Sequence, residues 1–353
     1  MKILYAVQAT GNGHISRAMQ LLPYLEQHGT VDIFLSGSNS SLALAAPVTY
    51  RSKGVSLFYN SNGGLNYARI VQGCNPLRIW RDIQQLPVEQ YDLVLNDFDF
   101  ITAMACKLRK VPSVQFGHQA SFQSIDCPKP LQQDKAGEWV LKNFATSPFN
   151  LGYHFSAYDD FIFTPVIKKD IIEANAVNNQ HIAVYLPAYS NQKLYTMFNS
   201  IHHTRFEIFS KQVLQQQEEG NITWKPITPD GFSESMIASE GVITGGGFET
   251  PAEALHLGKK IMSIPIKNHY EQQCNAAALE LMGVTVVQDT LTDFQKKVED
   301  WLQYGRVIKR DYSRSIQQSL HYLFEKVQPR LYESTEEEVE NRWLPGEIFL
   351  PQG

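Results

Sequence analysis

The sequence predicts an α/β protein of two doubly wound domains that face each other across a cleft. Short apolar runs alternate with amphipathic stretches along the chain, the pattern of parallel strands covered by helices on both faces. Two Gly-rich strings, QATGNGH at 8–14 and TGGGFET at 244–250, each follow such a run and lie about 230 residues apart. The chain has 353 residues, long for one α/β core, and its 43% apolar content suffices to fill two.

The elements follow in order. KILYAV (2–7) is a buried parallel strand that ends at glycine. Residues 16–27 carry Ala18, Leu21, Leu22 and Leu25 at helical spacing, and 31–36 form the next strand, so Gly11 and Gly13 stand at a strand-to-helix turn. YDLVLND is a further buried strand ending on Asp97, ITAMACKLRK a helix, and VPSVQFGH a strand ending in Gly117 and His118. Residues 121–165 read as aromatic and irregular, able to line a cleft or cover an acceptor, while FNLGYHF and YDDFIF within them have core-like apolar spacing. HIAVY opens a second series that continues with RFEIFS, GVITGGG and KKIMSIPI. LTDFQKKVEDWLQYG reads as a helix with Thr292 as N-cap, 311–325 as another helix, and the last thirty residues as helix or solvated acidic tail. The predicted domains are 1–165 and 166–353, the second carrying the C-terminal helices and tail.

Charge excludes one class of partner. The net charge is −5; residues 1–165 hold 13 Lys and Arg against 12 Asp and Glu, and 166–353 hold 18 against 24. Neither half is a basic nucleic-acid surface. Cys74, Cys106, Cys127 and Cys274 form no CxxC pair, which fits a reducing compartment and no zinc site. No stretch approaches the ~18 apolar residues of a membrane helix, so the expected location is cytoplasmic, with peripheral contact to the inner face of a membrane left open.

The chemistry concentrates at the two strings. After a strand, Gly245, Gly246 and Gly247 let a phosphate approach the backbone, and the amides and dipole of the following helix favour an anion there. The same string also fits a plain turn, since it is neither GxGxxG nor a Walker loop. Glu253, on that helix, reaches a ribose diol, whose two hydroxyls a carboxylate accepts well. Glu271 and Gln272 follow the next strand, at the sheet edge where open α/β folds bind ligands.

TGGGFETPAEALHLG with the later EQQCNA resembles the nucleotide-sugar signature of GT-B glycosyltransferases, including the bacterial N-acetylglucosaminyltransferase that acts on lipid I and the UDP-sugar transferases of plants and animals. Gly247, Thr250, Glu253, Gly258, Pro265 and the EQQCNA string stand at the family's positions over about 33 residues. The resemblance implies two Rossmann-like domains in the GT-B arrangement, in a bacterial branch of these transferases. It implies a donor site of Gly245, Gly246, Gly247, Phe248, Thr250 and Glu253, with Glu271 and Gln272 on sugar hydroxyls. It also implies a nucleotide-diphospho-sugar donor, UDP-linked, used as co-substrate with no other cofactor. Many relatives carry His or Arg where Gly245 stands, so here phosphate binding leans on amides; Lys260 replaces a usual proline, and two extra residues separate Pro265 from Glu271.

Inverting transfer needs a base for the acceptor hydroxyl and stabilisation of the leaving diphosphate. His14 follows the first loop, and Asp97 ends a strand of the same sheet, so the pair reads as a catalytic dyad in which carboxylate orients imidazole. Relatives carry a His at the place of His14, and plant relatives an Asp at that of Asp97. Gly11, Asn12 and Gly13 are expected to meet the acceptor, as is His118, for which packing is the alternative. Asp97-Phe98-Asp99 is a DxD pattern, read here as no metal site because the donor-like signature lies about 150 residues later. The sequence leaves the acceptor open among lipid or lipid-linked, glycan, protein and small-molecule compounds. A UDP-sugar epimerase of the same fold and a non-catalytic sugar-nucleotide binder are the rival readings.

Overall fold

The computed structural model describes residues 1–9, 11–37, 44–55, 75–132, 134–228 and 230–333; Cys74 and the acidic stretch after Glu333 lie outside them. The first sheet holds β1 (Lys2–Gln8), β2 (Thr30–Ser36), β3 (Tyr50–Ser52), β4 (Leu93–Asp97), β5 (Val114–Gly117), β6 (Phe149–Tyr153) and β7 (Ile162–Phe163). The second holds β8 (His181–Tyr185), β9 (Arg205–Ser210), β10 (Gln217–Glu219), β11 (Ile222–Pro226), β12 (Gly241–Thr244), β13 (Lys260–Ser263) and β14 (Thr285–Val286). Their orders are β3-β2-β1-β4-β5-β6-β7 and β10-β11-β9-β8-β12-β13-β14. All pairings are parallel except β10 with β11.

The central strands explain why the runs were legible. Ile3, Leu4, Tyr5, Ala6 and Val7 of β1 are all fully buried, because helices cover both faces. Burying each Leu, Ile or Val side chain contributes roughly 1.5–3 kcal/mol. Strand order reverses between β1 and β4 in one sheet and between β8 and β12 in the other. An open α/β sheet leaves its crevice at such a point, beyond the C-terminal ends of the strands. His14 follows β1, Asp97 ends β4 and the three glycines follow β12, so both strings open on these crevices.

Three sequence expectations change. Residues 121–165 are more regular than expected: they form the helix Lys135–Asn143, β6 and β7, with Phe149, Leu151 and Tyr153 in the core. The helix Phe294–Tyr304 is preceded not by a Thr292 cap but by Asp293 at φ 51°, with no side-chain cap bond, because the chain first turns through Leu291 N–H donating to Asp289. The C-terminal helix Ser315–Tyr322, grouped with the second domain from the sequence, packs on the first. Ser319 Oγ lies 3.0 Å from Tyr153 Oη, and the Phe324 ring stacks on His28 at 3.6 Å. Leu320, Leu323 and Val327 join the core that contains β1.

Candidate active site

The helix Asn12–Leu25 starts directly at the end of the first loop, with Gly11 as its extended N-cap. His14 is on its first turn and is buried. Val7 of β1 is in register with Asp97 of β4, which brings the carboxylate under that turn. His14 Nδ1 donates to Asp97 Oδ1 at 2.9 Å, so Nε2 is the basic nitrogen of the ring. Gly117 of β5 leaves room for the pair, since a Cβ there would collide with the Asp97 carboxylate.

Arg17, one turn after His14, completes the group. Its Nη2 donates to both Asp97 oxygens at 2.9 Å, its Nε to Oδ2 at 3.3 Å, and its Nη1 crosses to Glu249 Oε1 of the second domain at 3.0 Å. Arg17 is 2% exposed and Asp97 0%. Burial works to raise the Asp97 carboxyl, but the Arg17 guanidinium and His14 outweigh it and hold the group below its ordinary value. The Arg17 guanidinium is itself stabilised by Asp97 and Glu249 against burial. His14 therefore sits over a carboxylate that stays ionised and is already paired.

Across the cleft, the three glycines do different things. Gly246 is the close-approach position: a Cβ there would press on the Gln272 backbone and on Pro265. Its N–H donates to Gln272 Oε1 at 3.3 Å and its carbonyl accepts from Asn275 Nδ2 at 3.1 Å. Gly247 is exposed and, among the described residues, a Cβ there would meet nothing within 4 Å. The helix Glu249–Leu257 follows, with Thr250 part-buried on its first turn, and ends on Gly258 at φ 67°, the left-handed C-cap that accounts for that matched glycine.

Several expected ligand residues are engaged elsewhere. Phe248, expected on the donor, is buried with its ring stacked on His118 at 3.9 Å and 6°. His118, expected on the acceptor, is 1% exposed, with Nδ1 donating to the Tyr153 carbonyl at 2.8 Å and Nε2 2.9 Å from the Asn275 side-chain oxygen. Burial pulls its ring pKa to about 3, which leaves it neutral and packed between the domains. Gln272 commits its carbonyl oxygen to the Gly246 and Ile266 amides, so only its side-chain NH2 could meet a sugar hydroxyl. Glu271 stays nearer the centre: it is partly buried, 4.0 Å from His118, and its carboxyl is raised by burial while feeling His14, Glu249 and Arg17. Glu253, expected to face the cleft, is 4% exposed and lies 3.8 Å from Lys168 Nζ; burial pushes its carboxyl up to about 7 despite Lys168.

The DxD pattern is split between two jobs. Asp97 holds His14 and Arg17, and Asp99 caps the helix Phe100–Arg109 by accepting from Thr102 N–H at 2.6 Å. No cluster of three or more metal-ligating side chains occurs among the described residues. Cys106, Cys127 and Cys274 are free and buried. Among the described residues no helix is long and apolar enough to cross a membrane.

Arg17, Glu249 and Lys168 were not singled out from the sequence, and Asn275 entered only as part of the EQQCNA string. A signal existed for Arg17: it lies one helical turn after His14 on a stripe continued by Leu21 and Leu25, where a solvated arginine does not belong.

A sequence model described as glycosyl transferase family 1 matches residues 1–304. The chain belongs to glycosyl transferase family 1. The family match covers both sheets and ends with the helix Phe294–Tyr304, before the helices that return to the first domain. Two Methanosarcina proteins described as uncharacterized glycosyltransferases are similar to it. That of M. acetivorans is 22% identical over 80% of this chain and 82% of its own length. That of M. mazei is 26% identical over 54% of this chain, and the match spans 59% of that protein. Among solved structures, Arabidopsis thaliana UGT89C1 complexed with UDP-L-rhamnose aligns with a TM-score of 0.59 at 14% identity, over 97% of this chain and 99% of that one. MurG of Acinetobacter baumannii aligns at 0.50 and 13%, over 94% and 99%. These likenesses identify the fold of this family 1 member as GT-B.

Proposed function

We propose that this family 1 protein transfers a sugar, with inversion, from a UDP-linked nucleotide-diphospho-sugar to an acceptor hydroxyl held against the first domain. The observation that carries the reading is the His14–Asp97 pair at one strand-order reversal, facing the glycine loop at the other. The acceptor oxygen attacks the anomeric carbon while His14 Nε2 takes its proton, and Asp97 keeps the imidazole oriented and stabilises its charged form. The departing diphosphate is met by the amides at Gly247, Phe248 and Glu249 and by the positive end of the helix Glu249–Leu257. Glu253 takes the ribose diol once Lys168 yields it, Thr250 lies beside the phosphates, Glu271 takes sugar hydroxyls, and Gly11, Asn12 and Gly13 border the acceptor. UGT89C1, a protein of the same fold, has been solved with UDP, UDP-L-rhamnose and quercetin, which supports a UDP-sugar donor.

In this reading the protein is cytoplasmic. Exposed Leu77 and Trp80, next to Arg81 on the helix Pro76–Gln85 of the first domain, favour peripheral contact with a membrane surface and a lipid-linked acceptor.

The first experiment is a thermal-shift screen of nucleotide sugars, because a ligand that binds only the folded state raises its stability. Stabilisation by a UDP-sugar, followed by UDP release that requires acceptor, is the expected outcome. Isomerised sugar with little UDP released would mean an epimerase instead, and no response to any nucleotide sugar would sink the donor assignment.

A further inference from the structure

Glu249 is an acid in a place suited to phosphate. It is the first residue of the helix after the glycine loop, where amides and dipole favour an incoming anion, and its own carboxylate would repel one. The side chain does not turn to solvent. It reaches across the cleft to Arg17 Nη1 at 3.0 Å, and it lies so close to Gly13 that a Cβ there would collide with it. Arg17 commits Nε and Nη2 to Asp97, which leaves Nη1 as the corner of the guanidinium directed at the second domain. The two partners differ in freedom: the Arg17 side chain is 2% exposed and that of Glu249 27%. Among the described residues, Cβ atoms on Gly11 and Gly247 would meet nothing within 4 Å, so both loops border open space beside this contact.

We propose that Glu249 is a placeholder anion. In the donor-free protein its carboxylate holds the Nη1 corner of Arg17, and the diphosphate of the arriving donor displaces it and takes over that contact. Arg17 is then the cation for the leaving group, supplied by the first domain because the second has glycine at position 245. Asp97 neutralises Arg17 in part and keeps it aimed, and expelled Glu249 turns outward to water. The exchange also ties donor binding to the first domain's catalytic pair, because one guanidinium touches Asp97, His14 and the phosphate seat. This inference rests on the nucleotide-sugar reading above.

Calorimetric titration of UDP and of uridine into the wild-type protein, Glu249→Gln and Glu249→Ala tests it. Removing a like charge from the seat should tighten UDP about three- to tenfold in both variants, while uridine, which lacks the diphosphate, stays within about twofold. Arg17→Lys keeps a charge for Asp97 but loses the guanidinium fork. It should weaken UDP, and Glu249→Gln added to it should tighten UDP far less than in the wild-type background. Equal or weaker UDP binding in both Glu249 variants would show that Glu249 is a donor ligand or a strut between the domains, and would overturn the proposal. Equal tightening of uridine would overturn it too, since the diphosphate would not be the competitor. If the wild-type protein binds UDP and only the variant arms fail, the donor reading stands alone; if no nucleoside diphosphate binds at all, both fall.

Discussion

Each glycine loop follows a strand that flanks its sheet's order reversal, β1 in one and β12 in the other, yet the two loops lead into very different surroundings. The first leads into a group with its charges locked: Arg17 and Asp97 are buried, and His14 is fixed by a 2.9 Å bond. The second leads into an open shelf, with Gly247 exposed, Glu249 partly exposed, and Glu253 held at 3.8 Å by a lysine from the segment between the domains. Chemistry needs a base held in one geometry before substrate arrives, whereas a donor site must admit and release a large anion. The difference teaches where a buried ion pair was built in: behind the first loop, and not beside the second.

The comparison can be broken first at His14. His14→Ala should reduce turnover by about 10²–10⁴-fold, the usual worth of a positioned base, and leave UDP affinity nearly unchanged. Near wild-type transfer at saturating donor and acceptor would remove His14 from the chemistry, and loss of UDP binding would end the division of labour between the loops.

Asp97 tests whether the first loop is held by charge. Asp97→Asn should lower turnover less than His14→Ala, because Asp97 orients the ring and takes no proton. It should cost more in stability, because Arg17 would keep only Glu249 as counter-charge; breaking a buried pair costs on the order of 3–5 kcal/mol. A denaturation midpoint equal to that of His14→Ala would show that the buried Arg17–Asp97 pair does not stabilise the fold.

On the donor side the effects should be smaller and pH-dependent. Glu253→Ala should weaken UDP by about 1.5–3 kcal/mol, the range for hydrogen bonds to a charged group. The Glu253 carboxyl is raised to about 7 in the donor-free fold. The diol needs the ionised form, so UDP should bind more weakly as pH falls through about 7, and Glu253→Gln should flatten that dependence. The sign for stability is the reverse: an acid raised on folding favours the fold at low pH, and that contribution fades as pH rises from its unfolded value towards 7. A UDP affinity flat between pH 6 and 8 in the wild-type protein would argue that Glu253 is not a ribose ligand. The smallest effect should be that of EDTA. Asp97 and Asp99 are engaged by Arg17, His14 and a helix N-terminus, so transfer should persist in excess chelator. Loss of activity restored by magnesium or manganese would reopen the metal reading of the DxD string.

Sequence alone determined the alternation of strands and helices, the two loops at strand ends, and the residue types at each. The apolar runs are unambiguous because strands buried on both faces admit little else, and a His after one strand with an Asp ending another is visible without coordinates. Tertiary structure decided which of these residues meet. Arg17 reads as one basic residue in an amphipathic helix until β4 brings Asp97 beneath it and the second domain brings Glu249 across from it. His118 and Phe248 read as ligand residues until the domains stack their rings on each other. Glu249 reads as an ordinary acid at a helix start, a position that already satisfies a local rule and so hides a long-range one. The return of the helix Ser315–Tyr322 to the first domain has the same character, because its partners Tyr153 and Thr164 lie more than 150 residues away. Periodicity and local spacing report on neighbours within a turn or a strand, whereas a site between two domains is assembled from contacts that no local pattern encodes.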